Sequence, residues 1–139
     1  MIRFYRTADD GEPFSFIFTY NGTTPIDPSL PVEIPLTIGY SKHRTDAGIE
    51  DRKNIRGDQI ILTYHFWGIN YAQLNEIRST LWGTYLGYGS KWFRVEDTRP
   101  EFSELVAGKK FYIENQPQIT YSNTTMFGEI TFTIIERLW

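Results

Sequence analysis

The stretch Gln59-Ile60-Ile61-Leu62-Thr63-Tyr64-His65-Phe66-Trp67 runs through Gly68-Ile69 into Asn70-Tyr71-Ala72-Gln73-Leu74-Asn75-Glu76-Ile77-Arg78-Ser79-Thr80-Leu81-Trp82. Its first half is the densest apolar block in the chain and reads as a long strand. In its second half Asn70 is a good N-cap and Gln73 follows three residues later, as in a capping box. Leu74, Ile77, Leu81 and Trp82 then recur at helical spacing, while Gln73, Asn75, Glu76, Arg78 and Ser79 face away. Gly83 supplies a stop, so one helix over about 70–82 is expected to lie on a sheet.

Outward from this block the pattern is mostly β. Phe14, Phe16, Phe18 and Tyr20 alternate with Ser15, Ile17 and Thr19, and Asn21-Gly22 then predicts a tight turn. The return is expected to be short, because Pro25 lacks a ladder donor. Four of the seven prolines fall in 25–35, which predicts a stiff extended arm whose Ile26, Leu30, Val32 and Ile34 need cover. The arm is either a surface crossover between two sheets or lies on a neighbouring subunit.

Leu36 to Tyr40 resumes strand character before the composition shifts at Ser41. From there to Asp58 there are five cations and four anions, among them Arg44, Asp46, Glu50, Asp51, Arg52, Lys53 and Arg56. This predicts a long charged loop over 41–58, either solvated or ordered as a bridge between subunits. Beyond the helix, the glycine loop Gly83 to Gly89 leads into a strand near Lys91–Glu96, and Asp97 to Ala107 reads as a polar connection. Further strands are expected at Lys109–Glu114 and Gln118–Thr125, with a turn or kink at Asn115-Gln116-Pro117 between them. The closing strand Glu129–Glu136 alternates Ile130, Phe132 and Ile134 against Thr131 and Thr133. Leu138 and Trp139 end the sequence on apolar groups, predicted to rest on the core or on a partner.

The 139 residues suit a single domain, mainly β (α+β): a β-sandwich or distorted barrel of about seven strands with one flanking helix. A formal charge of -3 excludes a bulk field for polyanions, so no nucleic-acid binding is expected. No apolar run reaches the length of a membrane span or signal peptide, and the expectation is a protein made in the cytoplasm with no membrane partner. With no cysteine, and with His43 and His65 in unlike settings, no metal or other cofactor is predicted. Neither a nucleophile elbow nor a phosphate-binding loop is present, and Glu96 and Asp97 alternate faces, so an enzyme is not expected. Asp9-Asp10-Gly11-Glu12 reads as a solvated turn.

Aromatic residues make up 17% of the chain, more than a small core normally uses, and Tyr85, Tyr88 and Trp92 gather around the glycine loop. Beyond core filling, such rings act as interface anchors or as stacking platforms for sugars. A carbohydrate-binding module of a receptor-binding device is therefore the alternative to an assembly protein.

The Ser41–Asp58 stretch, the Ile60–Trp67 strand, the Tyr71–Trp82 helix and the ending Phe127-Gly128-Glu129-Ile130-Thr131-Phe132-Thr133-Ile134-Ile135-Glu136 together resemble the β-sandwich of tailed-bacteriophage tail-tube, distal-tail and minor tail-tip proteins. The resemblance covers about two thirds of the chain, and the proline arm has no counterpart in it. It implies a non-enzymatic virion subunit made in the host cytoplasm. Such a subunit forms a ring with copies of itself at a tail tip, baseplate hub or collar, and joins other phage tail proteins. The expected contact residues are those of the charged stretch named above, with Ile26, Leu30, Tyr85, Tyr88, Trp92 and Trp139.

Overall fold

The computed structural model describes the backbone over residues 1–28, 37–44, 50–122 and 126–137, and the side chains of the same residues apart from 37–44 and 50–58. The strands are β1 (Ile2–Arg6), β2 (Phe14–Ile17), β3 (Thr37–Arg44), β4 (Glu50–Gln59), β5 (Ile61–Asn70), β6 (Arg94–Asp97), β7 (Phe111–Ile113), β8 (Gln118–Tyr121) and β9 (Phe127–Glu136). A helix opens as α1 (Tyr71–Glu76) and continues as a π-helical stretch, Ile77–Tyr85; a second helix, α2, spans Pro100–Val106.

Seven strands form two antiparallel sheets, one ordered β2-β1-β6 and the other β5-β9-β7 with β8 also on β9. Each presents one apolar face to the other, as period-two alternation requires. Phe4, Phe16 and Phe18 from the first sheet and Leu62, Tyr64, Phe66, Phe132 and Ile134 from the second are all buried. Phe18 stacks on Phe66 at 4.8 Å between ring centres, and Phe4 meets Phe132 edge-on at 5.6 Å. Much of the aromatic surplus is thus core. This is the expected mainly β, α+β sandwich of seven strands with a flanking helix.

The sandwich approaches a barrel because both sheets are stitched together at their margins. Phe93 and Phe111 exchange backbone hydrogen bonds of 2.9 and 2.8 Å where β6 meets β7. On the opposite side the Asn70 N–H donates to the Tyr20 carbonyl at 3.0 Å. The Asn21-Gly22 turn forms as expected: Asn21 Oδ1 accepts from the Thr23 and Thr24 N–H groups, and Gly22 takes a φ of 97°. The return strand is a single bridge, Thr19 to Pro25.

Several expectations are corrected. The charged stretch is not a loop through most of its length: β3 and β4 pair antiparallel from Thr37 with Gln59 to Arg44 with Glu50. Polarity was a poor guide because backbone pairing holds a two-stranded ribbon together without apolar alternation, and the register sets Arg44 opposite Glu50 and His43 opposite Asp51. Met1 to Arg6, unassigned from the sequence, contains β1, the middle strand of its sheet. The polar connection after Asp97 carries α2, with Pro100 in its first turn.

The long helix does not stop at Gly83. It runs to Tyr85 and closes on a Leu86 N–H to Leu81 carbonyl bond of 2.9 Å, after which Gly87 turns the chain at φ 54°. Gly83 leaves room for Tyr88, whose hydroxyl lies 3.4 Å from where a Cβ would sit. The expected Asn70 cap is present, with Oδ1 accepting from Gln73 N–H at 3.0 Å. The greater part of the proline arm, including Leu30, lies outside the described residues, as do Asp46 and Trp139.

Candidate functional site

Three surfaces carry the groups a partner could use. The first is the β3–β4 ribbon, which holds the backbones of Arg44, Glu50, Asp51, Arg52, Lys53 and Arg56. Among the described residues its two strands pair with each other and with neither sheet.

The second lies where β5 is interrupted. Register shifts by one residue between Phe66, opposite Ile130, and Ile69, opposite Gly128. Trp67 and Gly68 together face the single intervening position, and Gly68 takes a φ of 66° to make the bulge. Trp67 keeps the outward face that alternation after the buried Phe66 gives it, 57% exposed, and the extra residue returns Ile69 to the buried face. Phe127 is also exposed, and the two line a cleft of about 290 Å³ with Gly68, Thr120, Ser122 and Glu129. At its rim His65 Nε2 and Glu129 Oε2 lie 3.1 Å apart, and the His65 ring sits 4.4 Å from that of Trp67. His65 is therefore a satisfied, outward side chain.

The third is centred on Trp92, at the margin stitched by Phe93 and Phe111. Arg6 from the end of β1, Arg94 from β6, Lys110 before β7 and Arg137 after β9 converge there. Their charged groups lie 5.0, 5.8, 4.5 and 5.8 Å from the centre of the one indole. Arg6 Nε also donates to the Trp92 carbonyl at 2.6 Å. Arg94 makes a two-pronged pair with Asp10, at 2.7 and 2.9 Å. That guanidinium, aided by the Thr7 N–H and hydroxyl, holds the Asp10 carboxyl well below the usual carboxylate range.

The expected aromatic trio is not one platform. Tyr85 stacks on Phe14 at 4.6 Å, Trp92 sits among cations, and Tyr88 alone is open, at 76% exposure. Tyr88 also holds a φ of 56°, a left-handed conformation that aromatic side chains rarely adopt. Ile26, expected at an interface, is 3% exposed and belongs to the core. Its N–H donates to the Phe18 carbonyl at 3.0 Å, which fixes the segment on the sandwich.

Glu96 and Asp97 do alternate as expected. Glu96 pairs with Arg3 at 2.5 Å, and the buried Asp97 pairs with Arg99 at 2.7 Å. Burial pushes the Tyr64 phenol up from its ordinary value, and Asp97 adds to the effect. Among the described residues no group of three or more His, Asp or Glu is placed to hold a metal ion.

Sequence reasoning missed Trp67 as a surface group and missed Arg6, Lys110 and Arg137 altogether. The Trp67-Gly68 pair before Ile69 is a local sign of a bulge, whereas the three cations stand far apart in the chain and meet only through strand pairing. Comparison with models of known protein families finds no match, and comparison with curated proteins likewise finds none.

Proposed function

We propose that this chain is a non-enzymatic structural subunit of a bacteriophage tail, at the tip, baseplate hub or collar, assembling with copies of itself into a ring and with other tail proteins. The observation that carries this reading is the β3–β4 ribbon, which is separate from both sheets among the described residues. A two-stranded ribbon is marginally stable alone in water and gains order from a surface to lie on. Its 10-residue strand β4 reaches roughly 30 Å at the ordinary strand rise, enough to cross onto an adjacent subunit.

Mixed charge along the ribbon favours register and specificity over bulk affinity. The exposed Trp67, Phe127 and Tyr88 supply the burial that charged contacts lack. A ring requires one face to meet a different face of the next copy, and a ribbon on one side with aromatic rims elsewhere suits that arrangement.

Electron microscopy of the purified protein tests the reading, together with its mass in solution over a range of concentrations. Rings of defined copy number support it. A chain that stays monomeric at every concentration, and in the presence of tail components, overturns it.

A further inference from the structure

We propose that the corner around Trp92 is a binding site for an oxyanion bearing more than one negative charge. The site stands apart from the assembly reading, because it needs no second copy of the chain. Four cationic groups lie within 5.8 Å of one ring centre and, among the described residues, are met by a single carboxylate, that of Asp10. Among the described residues no ion pair joins Arg6, Lys110 or Arg137 to a carboxylate. Counted over the described residues, this corner is locally positive by three charges on a chain whose formal net charge is -3.

One indole cannot satisfy so many cations, since it has two faces and no full negative charge. Like charges held together favour an anion between them. The donors suit an oxyanion in particular. Arg6 spends its Nε on the Trp92 carbonyl, leaving its terminal nitrogens for a ligand. The Nε of Arg137 is buried without an acceptor, a state that costs stability unless a ligand oxygen completes it. Lys110 adds a compact ammonium at the indole, and its carbonyl accepts from the Arg137 N–H at 2.7 Å, which fixes the two cations side by side. Guanidinium forks and an ammonium are the groups that recognise phosphate and carboxylate oxygens. A long polyanion does not fit, because the chain as a whole is acidic and, among the residues with described side chains, the cations form a spot with no stripe leading away from it.

The shared chemistry has two sources, a free phosphate-type ion or adjacent carboxylates on a partner. Isothermal titration of the full chain with pyrophosphate, and separately with a hexaglutamate peptide, distinguishes them. The expected result is saturable one-site binding of at least one probe, weakening as salt rises towards about 0.15 M. Lys110→Gln and Arg137→Gln are each expected to weaken it about tenfold, the loss of one charge-assisted contact. Arg78→Gln, on the helix away from the corner, leaves it unchanged. Pyrophosphate binding alone assigns the free ion, and peptide binding alone assigns carboxylates on a partner. If Arg137→Gln does not fold, Lys110→Gln and Arg6→Gln carry the test, with circular dichroism confirming their fold. Binding of neither probe, or equal binding by wild type and the folded corner variants, overturns the proposal.

Discussion

Phe93 and Phe111 exchange both backbone hydrogen bonds across the margin where the two sheets meet, and Phe93 stacks on Phe4 at 4.3 Å beneath the join. Both residues are fully buried. The join is therefore polar in its backbone and aromatic in its support, and it holds the Trp92 ring and the Lys110 cation at fixed separation. Truncating Phe93 to Ala is expected to cost about 3–5 kcal/mol, measured by denaturant unfolding. In the wild type the Phe93 and Phe111 amides should exchange with deuterium only through global opening.

Gly128 is demanded by close approach. A Cβ there would sit 2.4 Å from the Thr120 carbonyl oxygen and 2.6 Å from a Leu74 methyl, against backbone on one side and the first helix on the other. Gly128→Ala is expected to destabilise by about 1–3 kcal/mol as α1 is pushed off the sheet. A thermal melt unchanged from wild type would contradict this packing.

Tyr88 couples strain to exposure. Gly in its place removes the left-handed penalty, so Tyr88→Gly should leave the folded chain as stable as wild type or up to about 1 kcal/mol more stable. If the ring anchors a neighbouring subunit, the same variant should assemble less well. Parallel melts and mass measurements separate the two effects.

The Asp10–Arg94 pair gives stability a defined pH dependence. The folded pKa of Asp10 lies below its ordinary 3.8, so the pair's contribution is complete above that pH and is lost as pH falls towards the folded value. The Asp10 side chain is 6% exposed and that of Arg94 24%, so the pair is partly shielded from solvent. Wild type should exceed Asp10→Asn by about 1–2 kcal/mol at neutral pH. The gap should stay flat down to about pH 5 and then narrow in acid. A gap that widened in acid would have the wrong sign.

Register suggests a clean way to shorten the ribbon. Lys42 faces Arg52, so replacing residues 43–51 with Asn-Gly closes a two-residue turn without slipping the remaining pairs. The shortened chain should keep the wild-type circular dichroism of the sandwich and fail to form rings. Normal assembly of this variant would remove the ribbon from the contact.

Much of the sandwich was legible because its signals are local. Asn70 caps its helix, Asn21-Gly22 turns the chain, Pro25 ends the return after one bridge, and β5 and β9 alternate as half-buried strands must. What was hidden depends on position in space. The strands of the charged ribbon pair with each other while their sequence carries no apolar period. The helix outruns Gly83 because the π-helical stretch accommodates that glycine under the Tyr88 ring. Arg6, Trp92, Lys110 and Arg137 become neighbours only when the first sheet, the join and the last strand are all in place.

The placement of β1 and β9 in the middle of their sheets also sets the order of events during synthesis. β1 pairs with β6, residues 2–6 against 94–97, and β5 pairs with β9, which follows every other strand. The first sheet must wait for β6 and the second for β9, so early segments wait with their phenylalanines exposed. Folding should be slow for a chain of this size and sensitive to crowding by nascent copies, as expected when distant segments close the core. Yield in the cell should then depend on chaperone supply more than on the stability of the finished domain.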